Sequence, residues 1–167
     1  MNHAIADLCR ELSLGVYVIG ASHGGRQDAF TASSVMQASF EPVLLAVSVN
    51  PKHASYPLIR GARNFSISVL RRDQMDLARL FGTHSGRDMD KLRNVSWSTG
   101  ETGAPILDDA MAWFECELTA VMPAGDHCIV LGRVVGGNIV AEDATPMLYA
   151  DTGNLDGSRR LYRESYF

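Results

Sequence analysis

Apolar positions along this chain fall into short, separated runs with two different periods. Val43 to Val49 is an apolar, β-branched run ended by Ser48 and Asn50, which reads as a strand buried on both faces that delivers polar groups at its tip. Gly15 to Gly20 reads as a first strand and Ala29-Phe30-Thr31 as its partner, with Ser22 to Asp28 supplying the turn chemistry of a hairpin. Phe65 to Val69 alternates apolar and polar residues, the signature of a half-buried strand. Trp113 to Val121 and His127 to Val135 add two more strands, the first with Phe114, Cys116 and Leu118 on one face and Glu115 and Glu117 on the other.

Helical spacing is confined to brief stretches. Ile5, Leu8, Cys9 and Leu12 form an apolar stripe, so a short N-terminal packing helix is expected. Ser55 is placed to cap a second helix through Leu58 and Ile59, with Pro57 in its first turn. Asp73 is placed to cap a third, which carries Leu77, Ala78, Leu80 and Phe81 and which Gly82 can end. Thr83 to Leu92 is polar and glycine-containing and reads as a mobile loop or lid, with His84 exposed. Strands outnumber helices, so the expected architecture is mainly β with inserted helices, a closed or nearly closed antiparallel barrel.

Bulk properties narrow the function classes. A chain of 167 residues, 46% hydrophobic and 20% charged, fits one compact domain over 1–167. A net charge of −4 argues against a general nucleic-acid binder, so any phosphate must be met locally. Cys9, Cys116 and Cys128 contain no Cys-x-x-Cys pair and read as reduced thiols. No apolar run approaches the ~20 residues of a membrane span, and no cationic segment followed by an apolar block opens the chain. A soluble, cytoplasmic protein is expected.

The densest candidate chemistry surrounds Val43 to Val49. Thr31, Ser33, Ser34 and Ser39 are small hydroxyl residues that can bring O–H and N–H donors close to an anion without blocking it. Lys52 and His53, beside the helix start at Ser55, could complete such a cradle; on the other reading Ser55 only caps its helix and the two basic residues are solvated. Gly24-Gly25 belong to no Gly-x-Gly-x-x-Gly pattern and no helix signal follows them, which argues against a Rossmann fold. Glu115 and Glu117 have no third partner and read as a solvated face rather than a catalytic acid pair.

The order of landmarks resembles the flavin reductase-like family, whose fold is an FMN-binding split β-barrel, antiparallel and Greek-key-like. The matching residues are Thr31-Ala32-Ser33-Ser34 with Ser39, Phe40-Glu41-Pro42, Ser48-Val49-Asn50, His53 with Ser55-x-x-Leu58-Ile59, Asn64-Phe65, Gln74-x-Asp76-Leu77-Ala78, Phe81-Gly82, and Gly125-Asp126-His127 followed by Gly132. Val35 departs from the aromatic residue that members often carry there, and the segment after Pro146-Met147-Leu148-Tyr149 lacks the usual Gly-x-Tyr. The resemblance implies an NAD(P)H-dependent oxidoreductase passing a hydride from NADH or NADPH to FMN, or to FAD by the same flavin end. It implies Thr31, Ala32, Ser33, Ser34 and Ser39 at the ring and ribityl chain, and Ser48, Val49 and Asn50 at the polar ring edge. Lys52, His53 and Ser55 would hold the phosphate, Phe81 and Gly82 would close over the cofactor, and His127 would orient the nicotinamide. A homodimer is implied, with a partner monooxygenase, a ferric complex or oxygen as final acceptor. The alternative is a barrel that holds FMN as an electron carrier without nicotinamide turnover.

Overall fold

The computed structural model describes residues 4–163. Seven strands form one antiparallel sheet: β1 (Tyr17–His23), β2 (Arg26–Ala32), β3 (Val35–Phe40), β4 (Val43–Val49), β5 (Asn64–Val69), and two long strands, β8 (Ala112–Ala124) and β9 (His127–Ile139). Their order is β2-β1-β5-β8-β9-β4-β3, so β2 and β3, neighbours in sequence, lie at opposite edges and leave the barrel split between them. A two-stranded hairpin, β6 (Trp97–Thr99) with β7 (Pro105–Leu107), packs outside the sheet. Helices α1 (Ile5–Cys9), α2 (Tyr56–Ala62) and α3 (Met75–Thr83) complete the fold, none long and apolar enough to cross a membrane among the described residues.

The turns follow from their residues. Gly24 and Gly25 both have positive φ, 59° and 77°, which lets two residues join β1 to β2 with His23 opposite Arg26. Gly125, at φ 69°, begins the equally tight link from β8 to β9.

Curling the sheet creates two cores. Inside lie Ile19, Phe30, Val47, Val49, Phe65, Ile67, Cys116 and Val130, drawn from both halves of the barrel. Outside β1 and β2, Ala78 and Phe81 of α3 pack with Val16, Val18, Ala29 and Met147. Each fully buried aromatic or aliphatic side chain contributes about 1.5–3 kcal/mol relative to exposure.

Several sequence expectations change once neighbouring elements are in place. β5 is buried on both faces, because the Ser66 hydroxyl donates to the Pro105 carbonyl and the Ser68 hydroxyl accepts from the Leu107 N–H, so the outer hairpin satisfies the polar face. Glu115 is buried at 3% exposure and accepts the N–H groups of Glu101 and Thr102 and the Thr102 hydroxyl, which pins the loop between β6 and β7. Only Glu117 faces solvent, paired with Arg133. The N-terminal stripe is not packed: Ile5, Leu8 and Leu12 are exposed and Ala6 is the buried residue of α1. Gln74, not Asp73, stands at the start of α3, its amide oxygen accepting the Arg71 N–H (2.9 Å) and its amide nitrogen donating to the Asp109 carbonyl (2.8 Å).

Close packing across the barrel also explains Gly132. A Cβ there would lie 2.6 Å from the Phe65 ring and 2.7 Å from the Cys116 Cβ. Gly132→Ala should therefore destabilise the fold by about 1–3 kcal/mol, measured as a lowered urea midpoint with unchanged slope; a midpoint equal to that of the parent would contradict this packing.

Candidate functional site

At one end of the barrel, the tip of β4 turns sharply toward α2. The Asn50 side-chain oxygen accepts the Lys52 N–H (3.0 Å) and the Asn50 carbonyl accepts the His53 N–H (3.0 Å), a turn that leaves Lys52 and His53 exposed. The His53 ring stacks on Phe30 of β2, with centroids 4.8 Å apart and planes inclined 24°. The loop after α3 then folds across them: the Arg87 guanidinium donates to the Lys52 carbonyl (2.9 Å). The resulting cleft of about 320 Å³ is lined by Lys52, His53, Gly82, His84, Arg87 and Lys91 among others.

Beneath the cleft is a buried ionic knot. Lys91, 4% exposed, pairs with Asp28 at 3.2 Å and donates to the His84 carbonyl at 3.2 Å. The fully buried Ser55 donates its hydroxyl to the other Asp28 oxygen at 2.6 Å. Gly86 runs so close that a Cβ on it would collide with the Asp28 carboxylate. Thr83 to Leu92, read from sequence as a mobile lid, is thus tied to β2, to the tip of β4 and to its own turn by the Asp88 and Met89 N–H groups on the Ser85 carbonyl.

The cleft carries more positive than negative charge. Asp28 is balanced by Lys91, which leaves Lys52 and Arg87 to face solvent and any incoming anion. Stacking on Phe30 and the nearby protein remove part of the water around the His53 ring although the residue keeps an exposed side, and the charges of Lys91, of His127 when protonated and of Arg87 add to this, so its pKa lies below the usual 6.5 although Asp28 pulls the other way. Asp126 is held below the ordinary carboxylate range by its hydrogen bond to His127 (2.8 Å), with Lys52 adding to the effect.

These contacts sort the residues singled out by the sequence. Lys52, His53 and Gly82 line the cleft together. Thr31 sits beside Gly82, whose Cβ position is 3.4 Å from the Thr31 Cβ, and donates its hydroxyl to the Ala78 carbonyl (2.9 Å). Ala32 is in the inner core, and Ser33 and Ser34 form the link to β3, where the Ser34 carbonyl accepts the Ser48 N–H (3.0 Å). Val49 is buried and Asn50 makes the turn described above. His127 opens β9 beside the β4 tip, with Cys128 opposite Val49, which brings it within electrostatic reach of His53.

Three placements differ from expectation. Ser39 lies at the far end of β3 from Ser34, opposite Leu44 and beyond a bulge, so one chain does not bring it to the Thr31–Ser34 group. Phe81 is 1% exposed, inside the core under α3, because its helix turns that face inward; Gly82 alone borders the cleft. Ser55 makes no side-chain cap, its hydroxyl being committed to Asp28. Sequence reasoning missed Asp28, Gly86, Arg87 and Lys91; the available signal was a glycine and two cations inside a polar stretch of an acidic chain.

The architecture is that of a split antiparallel β-barrel with a cationic cleft at one end. The chain belongs to the flavin reductase like domain family, whose model matches residues 9–157. The high molecular weight rubredoxin of Moorella thermoacetica is 35% identical over 141 residues, covering 83% of this chain and 61% of that protein. The probable flavin reductase of Rhizobium meliloti is 36% identical over 132 residues, covering 78% of this chain and 42% of its own length. The chain therefore spans less than two thirds of either relative. Among solved structures, the NADH:FAD oxidoreductase SgcE6 of Streptomyces globisporus matches with a TM-score of 0.80 at 27% identity, covering 87% of this chain and 86% of that one.

Because the ionic knot is buried, removing one partner should cost far more than removing both. Lys91→Met is expected to destabilise by about 3–5 kcal/mol, and adding Asp28→Asn should recover much of that loss. Additive losses in a double-mutant cycle measured by urea unfolding would show that the pair is not coupled.

Proposed function

We propose that this protein is an NAD(P)H-dependent flavin reductase that takes FMN through its phosphate in the cationic cleft. The observation that carries this reading is the convergence of Lys52, His53 and Arg87 on one cleft that borders Gly82 and Thr31. A phosphate monoester fits this donor set: two side-chain cations and an imidazole border the cleft, the carboxylate that lines it, Asp28, is paired with Lys91, and Asp126 at the rim is paired with His127. FAD could enter by the same flavin end, and the name of the Streptomyces globisporus relative, an NADH:FAD oxidoreductase, supports keeping it as a second ligand.

When bound, the flavin supplies the redox chemistry by accepting a hydride from reduced nicotinamide. The chain's own residues do the rest. Lys52 and Arg87 would anchor the phosphate, while the backbone and hydroxyls of Thr31, Ser33 and Ser34, with the Ser48–Asn50 tip, would meet the ring and ribityl chain. His127, at the rim, would orient the nicotinamide, since hydride transfer needs geometry rather than a general base. A homodimer is part of this reading: Met36, Phe40 and Val43 on the β3–β4 edge are exposed at 65%, 84% and 42%, an apolar edge that a second copy would cover, and Ser39 on the same edge would then gain a place at the partner's flavin. The reduced flavin would pass to a partner monooxygenase, a ferric complex or oxygen.

A second reading, in which the barrel holds flavin and relays electrons without consuming nicotinamide, is favoured by one observation. A relative named as a high molecular weight rubredoxin matches this chain over 61% of its length.

The phosphate anchor is tested by comparing FMN with riboflavin, which lacks the phosphate. Lys52→Ala should weaken FMN by about 1.5–3 kcal/mol, tenfold or more, and leave riboflavin nearly unchanged in a fluorescence titration. Equal losses for the two ligands, or no FMN binding by the parent protein at micromolar concentration, would remove the phosphate assignment. For His127, the expectation is a kinetic split. His127→Ala should bind FMN as the parent does while the KM for NADH rises or the rate of flavin reduction falls, by up to about a hundredfold; loss of FMN binding would make His127 a flavin contact.

A further inference from the structure

We propose that His53 is a proton-coupled ligand of the phosphate: the imidazole is neutral in the free protein and takes up a proton as the phosphate dianion seats, so that FMN binding is linked to pH through this one side chain. This rests on the phosphate reading given above and adds to it a mechanism for the capture and release of the flavin.

The geometry sets up the coupling. One face of the His53 ring lies on Phe30, and the residue is exposed and lines the cleft, so the ring is held in place where an anion would arrive. Every element around it contributes charge. Arg87, His84 and Lys91 come from the loop after α3, Lys52 is its neighbour in the β4–α2 turn, His127 with Asp126 opens β9, and Asp28 comes from β2. Asp28 is already engaged by Lys91 and by the Ser55 hydroxyl, and Asp126 by His127, so both nearby carboxylates are paired while Lys52 and Arg87 remain as cations beside His53. Loss of water around the ring, and after it the neighbouring positive charges, disfavour a proton on His53, whose pKa lies below 6.5. A phosphate dianion offsets the charge of Lys52 and Arg87 and sets an anion beside the ring, and a nearby opposite charge raises a histidine pKa by about 1–3 units.

The direction of the linkage follows. Between the lower pKa of the free protein and the higher pKa of the complex, the complex holds a proton that the free protein lacks. FMN affinity therefore grows as pH falls through the pKa of the complex and levels off below that of the free protein. Below about pH 6 the phosphate takes up its own second proton, so the diagnostic window lies above that value.

The test is FMN and riboflavin titration of the intact protein between about pH 8.5 and about pH 6.5, with calorimetry in two buffers of different ionisation enthalpy to count protons. FMN affinity is expected to rise about three- to tenfold across this window with net proton uptake, while riboflavin affinity stays flat. His53→Gln should lose both the slope and the uptake. Flat FMN affinity with no uptake in the parent protein overturns the proposal, and so does uptake that persists in His53→Gln, since another group would then carry the proton. Should His53→Gln fail to fold, His53→Asn is measured in its place, and loss or persistence of the uptake in that variant decides in the same way. Uptake seen for NADP+ against NAD+ but not for FMN against riboflavin would move the phosphate to the nicotinamide nucleotide and overturn the flavin coupling. Failure of FMN to bind at any pH is a different result, which overturns the phosphate reading and this inference with it.

Discussion

The candidate site depends on one buried ion pair. Asp28 on β2 and Lys91 in the loop after α3 are 63 positions apart in number and 3.2 Å apart in space, with Ser55, at the start of α2, donating to the same carboxylate. Three elements are drawn to one point. Burying two charges is costly unless each finds its partner, so this contact leaves the loop little freedom to sit elsewhere. Its consequence is electrostatic as well as mechanical: the carboxylate that would repel an anion is neutralised from below, while Lys52 and Arg87 remain at the surface of the cleft.

Much of the barrel was legible in the sequence because local periodicity and turn residues determine it. The β4 run, the Gly24-Gly25 hairpin and the two long strands joined at Gly125-Asp126 all stand where the pattern puts them. Alternation failed at β5, because it reports which face is polar and not whether something covers that face; Ser66 and Ser68 are covered by a hairpin some forty positions later. Glu115 was misread for the same reason. A carboxylate on a strand looks solvated until the loop that it binds, Glu101 and Thr102, is known to return to it.

The site divides along the same line. Lys52 and His53 were legible because they follow directly from the end of a buried strand, and a turn at Asn50 suffices to present them. Asp28, Arg87 and Lys91 were not, since each acquires its meaning from a residue far away in sequence: Lys91 from Asp28, Arg87 from the Lys52 carbonyl. Phe81 shows the converse limit. It lies in a matching motif next to Gly82, yet one step along a helix turns it into the core while the glycine borders the cleft. Adjacency in a motif does not imply a shared environment.

Reduction of the bound flavin by a nicotinamide nucleotide is what would separate a reductase from an electron carrier. Anaerobic mixing of the FMN-loaded protein with NADH, and separately with NADPH, while following flavin absorbance near about 450 nm, tests it most directly. The account predicts rapid bleaching with at least one of the two nucleotides. Flavin that stays oxidised with both, in protein shown to bind FMN, would contradict it.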